Sequence, residues 1–195
     1  SKSLDNFLTI REILADYPGE VLRYYLLTSH YRSPLNYSDD SIGQAQQALG
    51  RLYIAIRGLP DSDAPVDEEW LGRFQAAMND DFNTPDALSV IHDLATEVNR
   101  LRAESHHDAA ALANTLRILT QTLGVLGADP ELFLQGGASA DEGSLSADEI
   151  NALIARRAQA RTDGDYAEAD RIRDVLVQAG IVLEDAGAQT QWRRG

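Results

Sequence analysis

Few residues in this sequence have the type and spacing for chemistry. His106 and His107 are adjacent. On a helix such neighbours point about 100° apart, and no carboxylate sits four residues from both, so they do not converge on a metal. Asp80, Asp81 and Asp86 could be taken for an acidic metal cluster. They flank Asn83-Thr84-Pro85, where charge at a helix entry accounts for them. His30 and His92 stand alone, in core or surface roles. No Ser/His/Asp constellation, P-loop or dinucleotide fingerprint is present, and no metal site is expected. The candidates that remain lie toward the C-terminal end. Tyr166 and Trp192 offer rings that can stack on a base. Trp192 is equally suited to closing a small core. Arg193 and Arg194 suit phosphates, or a solubilising tail.

Composition narrows the class of protein. The chain has 195 residues, 44% hydrophobic and 25% charged, an ordinary globular balance. Cysteine is absent, which excludes disulfides and thiolate metal ligands and fits a cytoplasmic protein. No apolar run approaches the roughly 20 residues of a membrane span, and no signal peptide is visible. The missing initiator Met suggests a fragment. With 31 acidic and 17 basic residues, the net charge of −14 argues against a general nucleic-acid binder. Local basic clusters remain compatible with specific RNA readout, which needs few residues.

The elements that must position these residues are mostly helical. Thr9 caps a short helix with Ile10, Ile13 and Leu14 on one face, and Pro18-Gly19 breaks it. Val21, Leu22, Tyr25 and Leu26 mark a second helix, followed by an irregular connector over 30–37. Ser38 with Asp39 and Asp40 starts a third, with Ile42, Ala45, Leu49, Leu52, Tyr53 and Ile56 at helical spacing. Residues 61–66 read as a linker, and 68–78 as a helix with Trp70, Leu71 and Phe74 apolar. Thr84 caps the next helix with Pro85 at its first position. That helix carries Leu88, Ile91, Leu94, Ala95, Val98 and Leu101. Another carries Leu112, Leu116, Leu119, Leu123 and Leu126. An antiparallel helical bundle is the expected arrangement. The Gly-, Ala- and Ser-rich stretch 136–146 is the expected flexible linker. Beyond it come a helix begun by Ser146, a second begun by Asp165 and closed by Gly180, a strand over 181–184, a turn over 185–188 and a strand over 189–193. The predicted fold is mainly α: a helical bundle, then a small α+β module ending in a β-hairpin.

Several segments resemble one family. Ser1-Lys2-Ser3-Leu4 resembles the end of the K-M-S-K-S loop of class I aminoacyl-tRNA synthetases, and Asn6-Phe7 and Thr9-Ile10-Arg11 continue as that loop does. Arg23 to Leu27, His30 to Ser38, Met78 to Pro85, Gly180 to Asp185 and Trp192-Arg193-Arg194 are similar to the cysteinyl enzymes, in the family's order. The resemblance implies a loop remnant and stem-contact segment over 1–38, a helical bundle over 39–135, the linker over 136–146 and an anticodon-binding α+β domain over 147–195. It implies a cytoplasmic monomer that binds tRNA-Cys, with no DNA or membrane partner. The complete enzyme would activate cysteine with ATP and Mg, and would use a cysteine-ligated Zn in a catalytic domain that lies upstream. The fragment itself would hold no cofactor and be inactive alone.

By the same resemblance, Lys2 is the second lysine of the ATP-binding loop. It acts only in the intact enzyme, where its charge can stabilise the departing pyrophosphate. Arg161, Asp170 and Asp185 fall at anticodon-reading positions, with Tyr166 where the family often has tryptophan. Arg can grip a guanine edge with two bonds, and a carboxylate can accept from base N–H groups. The plainer possibility is that these charges are solvated or paired along a helix. Two other functions fit less of the chain. One is a stand-alone helical RNA-binding or adaptor module, which the loop remnant argues against. The other is a fragment of the ligase that joins cysteine to an amino-sugar inositol, which would not need the segment from Ala147 to Arg194.

Overall fold

A computed structural model describes residues 9–136, 145–186 and 189–194, with backbone alone at 185, 186 and 189. The chain divides into two compact units, one through Pro130 and one from Glu131.

The first unit is helical. α1 (Ile10–Asp16) begins with a capping box in which Thr9 and Glu12 satisfy each other's backbone N–H. α2 (Gly19–Leu27) packs on α3 (Asp39–Ile56). α4 (Glu68–Asn79), α5 (Thr84–Glu104) and α6 (His106–Thr122) pack on one another, and α5 and α6 also meet α3. Ile42, Leu49, Leu52, Tyr53, Ile91, Leu94, Leu116 and Leu119 form the fully buried interior. Their spacing is the helical period read from the sequence. The apolar face expected on α1 is only partly used: Ile13 is buried, while Ile10 and Leu14 stay exposed.

The 61–66 segment is not a free linker. Asn114 Nδ2 donates to the Ala64 carbonyl (2.7 Å), and the Asp67 N–H donates to Thr115 Oγ1 (3.0 Å). Arg117 donates to the Leu59 carbonyl (3.1 Å), so three α6 side chains hold this stretch down. Arg102 on α5 donates to the Ala55 and Arg57 carbonyls at the end of α3 (2.6 and 3.0 Å), where a cation complements the helix dipole.

Tyr53 ties three elements together. Its hydroxyl donates to Glu20 Oε2 (2.5 Å) and accepts the Ala128 N–H (3.0 Å), while Glu20 Oε1 accepts the Gly127 N–H (2.9 Å). Burial, and then the Glu20 carboxylate, hold the Tyr53 phenol well above its ordinary range. Tyr53→Phe keeps the ring but strips the Ala128 N–H of its acceptor. It is expected to lower stability by about 1–3 kcal/mol. The urea midpoint should fall at constant slope, and an unchanged midpoint would contradict this role.

The entry to α5 differs from expectation. Asn83, not Thr84, is the cap: its side chain accepts the Asp86 N–H (3.2 Å), which leaves Thr84 and Pro85 inside the first turn. Just before it, Asp81 and Phe82 both adopt left-handed backbone (φ 55° and 54°), unusual for non-glycine residues. Asp81 is more than helix-entry charge. Tyr31 donates to its carboxylate (2.8 Å), Arg32 pairs with it (3.0 Å), and His30 contacts its carbonyl (3.1 Å). Tyr31 in turn stacks on His30, with Arg32 over its ring at 5.2 Å.

The second unit is small. α7 (Pro130–Leu134) stands at its start. α8 (Ala147–Thr162) and α9 (Tyr166–Gln178) form a helical hairpin. β1 (Ile181–Ala186) pairs antiparallel with β2 (Gln189–Arg194), in a register from Ile181 opposite Arg194 to Ala186 opposite Gln189. Gly180, at φ 72°, supplies the left-handed turn that ends α9 and starts β1. Both strands run slightly longer than the sequence pattern predicts. The core is Ile150, Ile172, Leu176, Ile181 and Trp192, with Leu153, Ile154 and Leu183 against it. Most of the expected linker, residues 137–144, lies outside the described residues.

Candidate nucleic-acid interface

The α8–α9 turn assembles much of the predicted site. α8 starts with a second capping box, Ser146 with Glu149, and ends at Asp163. Gly164 takes φ 80° and Asp165 caps α9 by accepting the Glu168 N–H (3.1 Å). This short turn fixes the last turn of α8 beside the first of α9. Glu168 locks the pair, binding Arg156 of α8 (2.8 Å) and Arg171 of α9 (2.7 Å). Arg171, and to a lesser extent Arg156, hold its carboxyl below the usual range.

Arg161 lies in the last turn of α8, exposed, and its guanidinium makes no hydrogen bond or ion pair with any described residue. Tyr166 is the first residue of α9 and is 68% exposed, a ring open to stacking. Asp170 is one turn further on the same face, 3.6 Å from Arg173. All three side chains are therefore exposed, with Tyr166 and Asp170 on one face of α9 and Arg161 in the last turn of α8. The side chain of Asp185, and Lys2, lie outside what is described. Strand β1 carries Asp185 opposite Thr190.

Three other candidates take different roles. Trp192 is 2% exposed in the core and donates its indole N–H to Asn151 Oδ1 (2.9 Å). That corrects the stacking expectation, because a ring with both faces packed offers none to a base. Arg193 pairs with Glu184 across the hairpin (2.8 Å). Arg194 donates to the Gln135 carbonyl (3.1 Å) and the Leu145 carbonyl (2.7 Å). Neither arginine is a free tail or a free phosphate ligand, because each guanidinium is already engaged within the fold.

A groove missed from the sequence adjoins this face. It encloses about 440 Å³ and is lined by Arg157, Arg173, Val177 and the β1 stretch Gly180–Leu183. Arg157 is half-buried and has no partner among the described residues. It lies one helical turn before Arg161, while Arg173 and Val177 continue the row Tyr166–Asp170. The helical spacing alone could have flagged them. The arrangement suits an unstacked base on an apolar floor with cations at the rim.

His106 and His107 are exposed at the start of α6, and no group of three or more metal-ligating side chains occurs among the described residues. No helix among them is long and apolar enough to cross a membrane.

Comparison with known families assigns three stretches of the chain. Residues 1–47 match the class I (C) tRNA synthetase catalytic domain, residues 73–127 the DALR domain, and residues 145–193 the cysteinyl-tRNA ligase anticodon binding domain. All three matches are to parts found in tRNA synthetases of class I. The chain is 56% identical over its whole length to a cysteine–tRNA ligase of Thioalkalivibrio sulfidiphilus and 54% identical to that of Alkalilimnicola ehrlichii. Over 99% of its length it is 52% identical to the cysteine–tRNA ligase of Pseudomonas aeruginosa. Along its whole length the chain is therefore similar to one part of cysteine–tRNA ligases. The chain spans about 42% of the length of the relatives from the first two organisms.

Proposed function

We propose that this chain is the tRNA-recognising part of a cysteine–tRNA ligase, and that its second unit reads the anticodon of tRNA-Cys. The observation that carries the reading is the joint exposure of Arg161, Tyr166 and Asp170 at the α8–α9 turn. Arg161 has no partner among the described residues and Tyr166 keeps an open ring, while Asp170 sits on the same face of α9 as Tyr166 within 3.6 Å of Arg173. The carboxylate favours base or ribose contacts over phosphate contacts, since it repels phosphate and accepts from base N–H groups and 2′-hydroxyls. Asp185, on β1, is the fourth residue of the proposed reading set. In the whole ligase the activity would be ATP-dependent attachment of cysteine to tRNA-Cys in the cytoplasm, by a monomer. Lys2 would face the ATP phosphates, with Mg as their counterion. A zinc held by cysteine thiolates finds no ligands in this chain, which has no cysteine.

Alanine at Arg161, Tyr166, Asp170 or Asp185 is expected to weaken tRNA-Cys binding by about 1–3 kcal/mol. For Arg161 and the two aspartates, discrimination against altered anticodon bases should narrow as well. Fluorescence titration with tRNA-Cys and with anticodon variants measures both. Wild-type affinity and wild-type discrimination in all four variants would remove the anticodon assignment.

A further inference from the structure

A second groove, in the first unit, has a chemistry that anticodon reading does not use. It encloses about 440 Å³ between α2 and α3. Ser41, Gln44, Ala48 and Arg51 line it along one face of α3, at helical spacing. Tyr24, Thr28 and Ser29 form the opposite wall, and Asn36 closes it from the connector. The walls are held by their own bonds: Tyr25 donates to the Asn36 carbonyl (2.8 Å) and Thr28 to the Tyr25 carbonyl (2.7 Å).

What the groove leaves unpaired is mostly donors. The side chains of Ser29, Asn36, Gln44 and Arg51 make no hydrogen bond or ion pair with the described residues. They offer a hydroxyl, two carboxamide NH₂ groups and a guanidinium. No carboxylate lines the groove, in a chain with 31 acids and 17 basic residues. Tyr24 and Tyr25 are buried, so they present no open face for stacking a base. From Ser41 to Arg51 the groove runs about 15 Å along α3, longer than a single oxyanion needs.

We propose that this groove binds phosphate, with Arg51 as its charged anchor and Gln44, Asn36 and Ser29 as neutral donors. The ligand is either an internucleotide phosphate of RNA or a free phosphate group. The length of the groove and its lack of a stacking face suit a sugar–phosphate strand, read without regard to base. The site stands apart from anticodon reading, because its residues are in the other unit and a phosphate contact carries no base information.

The structure supplies a reporter. His92 Nε2 lies 2.6 Å from the Tyr24 hydroxyl. Burial, and then the charge of Arg51, keep the His92 imidazole below its ordinary pKa. An anion on Arg51 cancels part of that charge, so binding should raise the His92 pKa. The test is an NMR pH titration of His92 in the whole chain, alone, with inorganic phosphate and with tRNA, for the parent and for Arg51→Gln. Arg51 is exposed, and an unchanged circular dichroism melt verifies the fold of the variant. One or both probes should raise the parent's His92 pKa, and that rise should vanish in Arg51→Gln. An effect of tRNA with none from inorganic phosphate assigns the internucleotide phosphate. In that case Arg51→Gln weakens tRNA binding roughly tenfold for every anticodon and lowers the salt slope by about 1. An effect of inorganic phosphate, with tRNA affinity unchanged in Arg51→Gln, assigns a free phosphate group. If neither probe moves His92 and Arg51→Gln binds tRNA like the parent, the site is refuted. Failure of the anticodon variants would leave this result untouched.

Discussion

Trp192→Ala is expected to unfold the second unit while the helices of the first remain folded. The indole is buried in a small core with Ile150, Ile172, Leu176 and Ile181, against which Leu153, Ile154 and Leu183 pack, and its N–H donates to Asn151. Truncating a buried aromatic costs about 3–5 kcal/mol, comparable with the whole stability of so small a core. A thermal melt followed by circular dichroism should lose its second-unit component, and amide exchange in α8, α9 and the hairpin should become rapid. Trp192→Phe should fall between the two, having lost the indole N–H and some volume. These measurements need no RNA, which separates a core role from a stacking role. A second unit that melts as before in Trp192→Ala would return the residue to the RNA surface.

Arg194→Ala is expected to lower the stability of the same unit by about 1.5–3 kcal/mol. One guanidinium reaches the carbonyls of Gln135 and Leu145, both far from Arg194 in sequence. It therefore clips together the two ends of the intervening stretch. Without it, limited proteolysis should cut between these two positions faster than in the parent. Lysine should not restore the clip, since one ammonium lacks the fork that spans two acceptors. If Arg194 served phosphate instead, its loss would flatten the salt dependence of RNA binding and leave the melt unchanged.

The elements were largely legible because each helix carries its own period. Ile42, Leu49, Leu52 and Tyr53, or Ile91, Leu94 and Val98, declare a buried face before any partner is known. Partners are a different matter. That Arg193 meets Glu184 depends on hairpin register, and that Arg194 meets two distant carbonyls depends on the path of the intervening chain. No local pattern encodes either. The same holds for Trp192, whose sequence neighbours fit a stacking role as well as a core role. Thr84 and Asn83 are both acceptable caps, and the choice between them follows from the unusual backbone just before them. The family resemblance pointed to Arg161, Tyr166 and Asp170, and all three are exposed. The groove beside them needed the packing of α9 against β1 to become visible.

The left-handed pair at Asp81 and Phe82 has a consequence for engineering. Each such residue costs about 1–2 kcal/mol relative to a right-handed one. Asp81 recovers some of that through Tyr31 and Arg32. Phe82 recovers little, because its ring is 65% exposed. A library selected for thermal tolerance alone should therefore drift toward asparagine or glycine at 82 and keep aspartate at 81. Valine and isoleucine should be depleted there, since a branched β-carbon fits that backbone worst. The position is a place where this fold carries a handicap that a designer could remove with one codon.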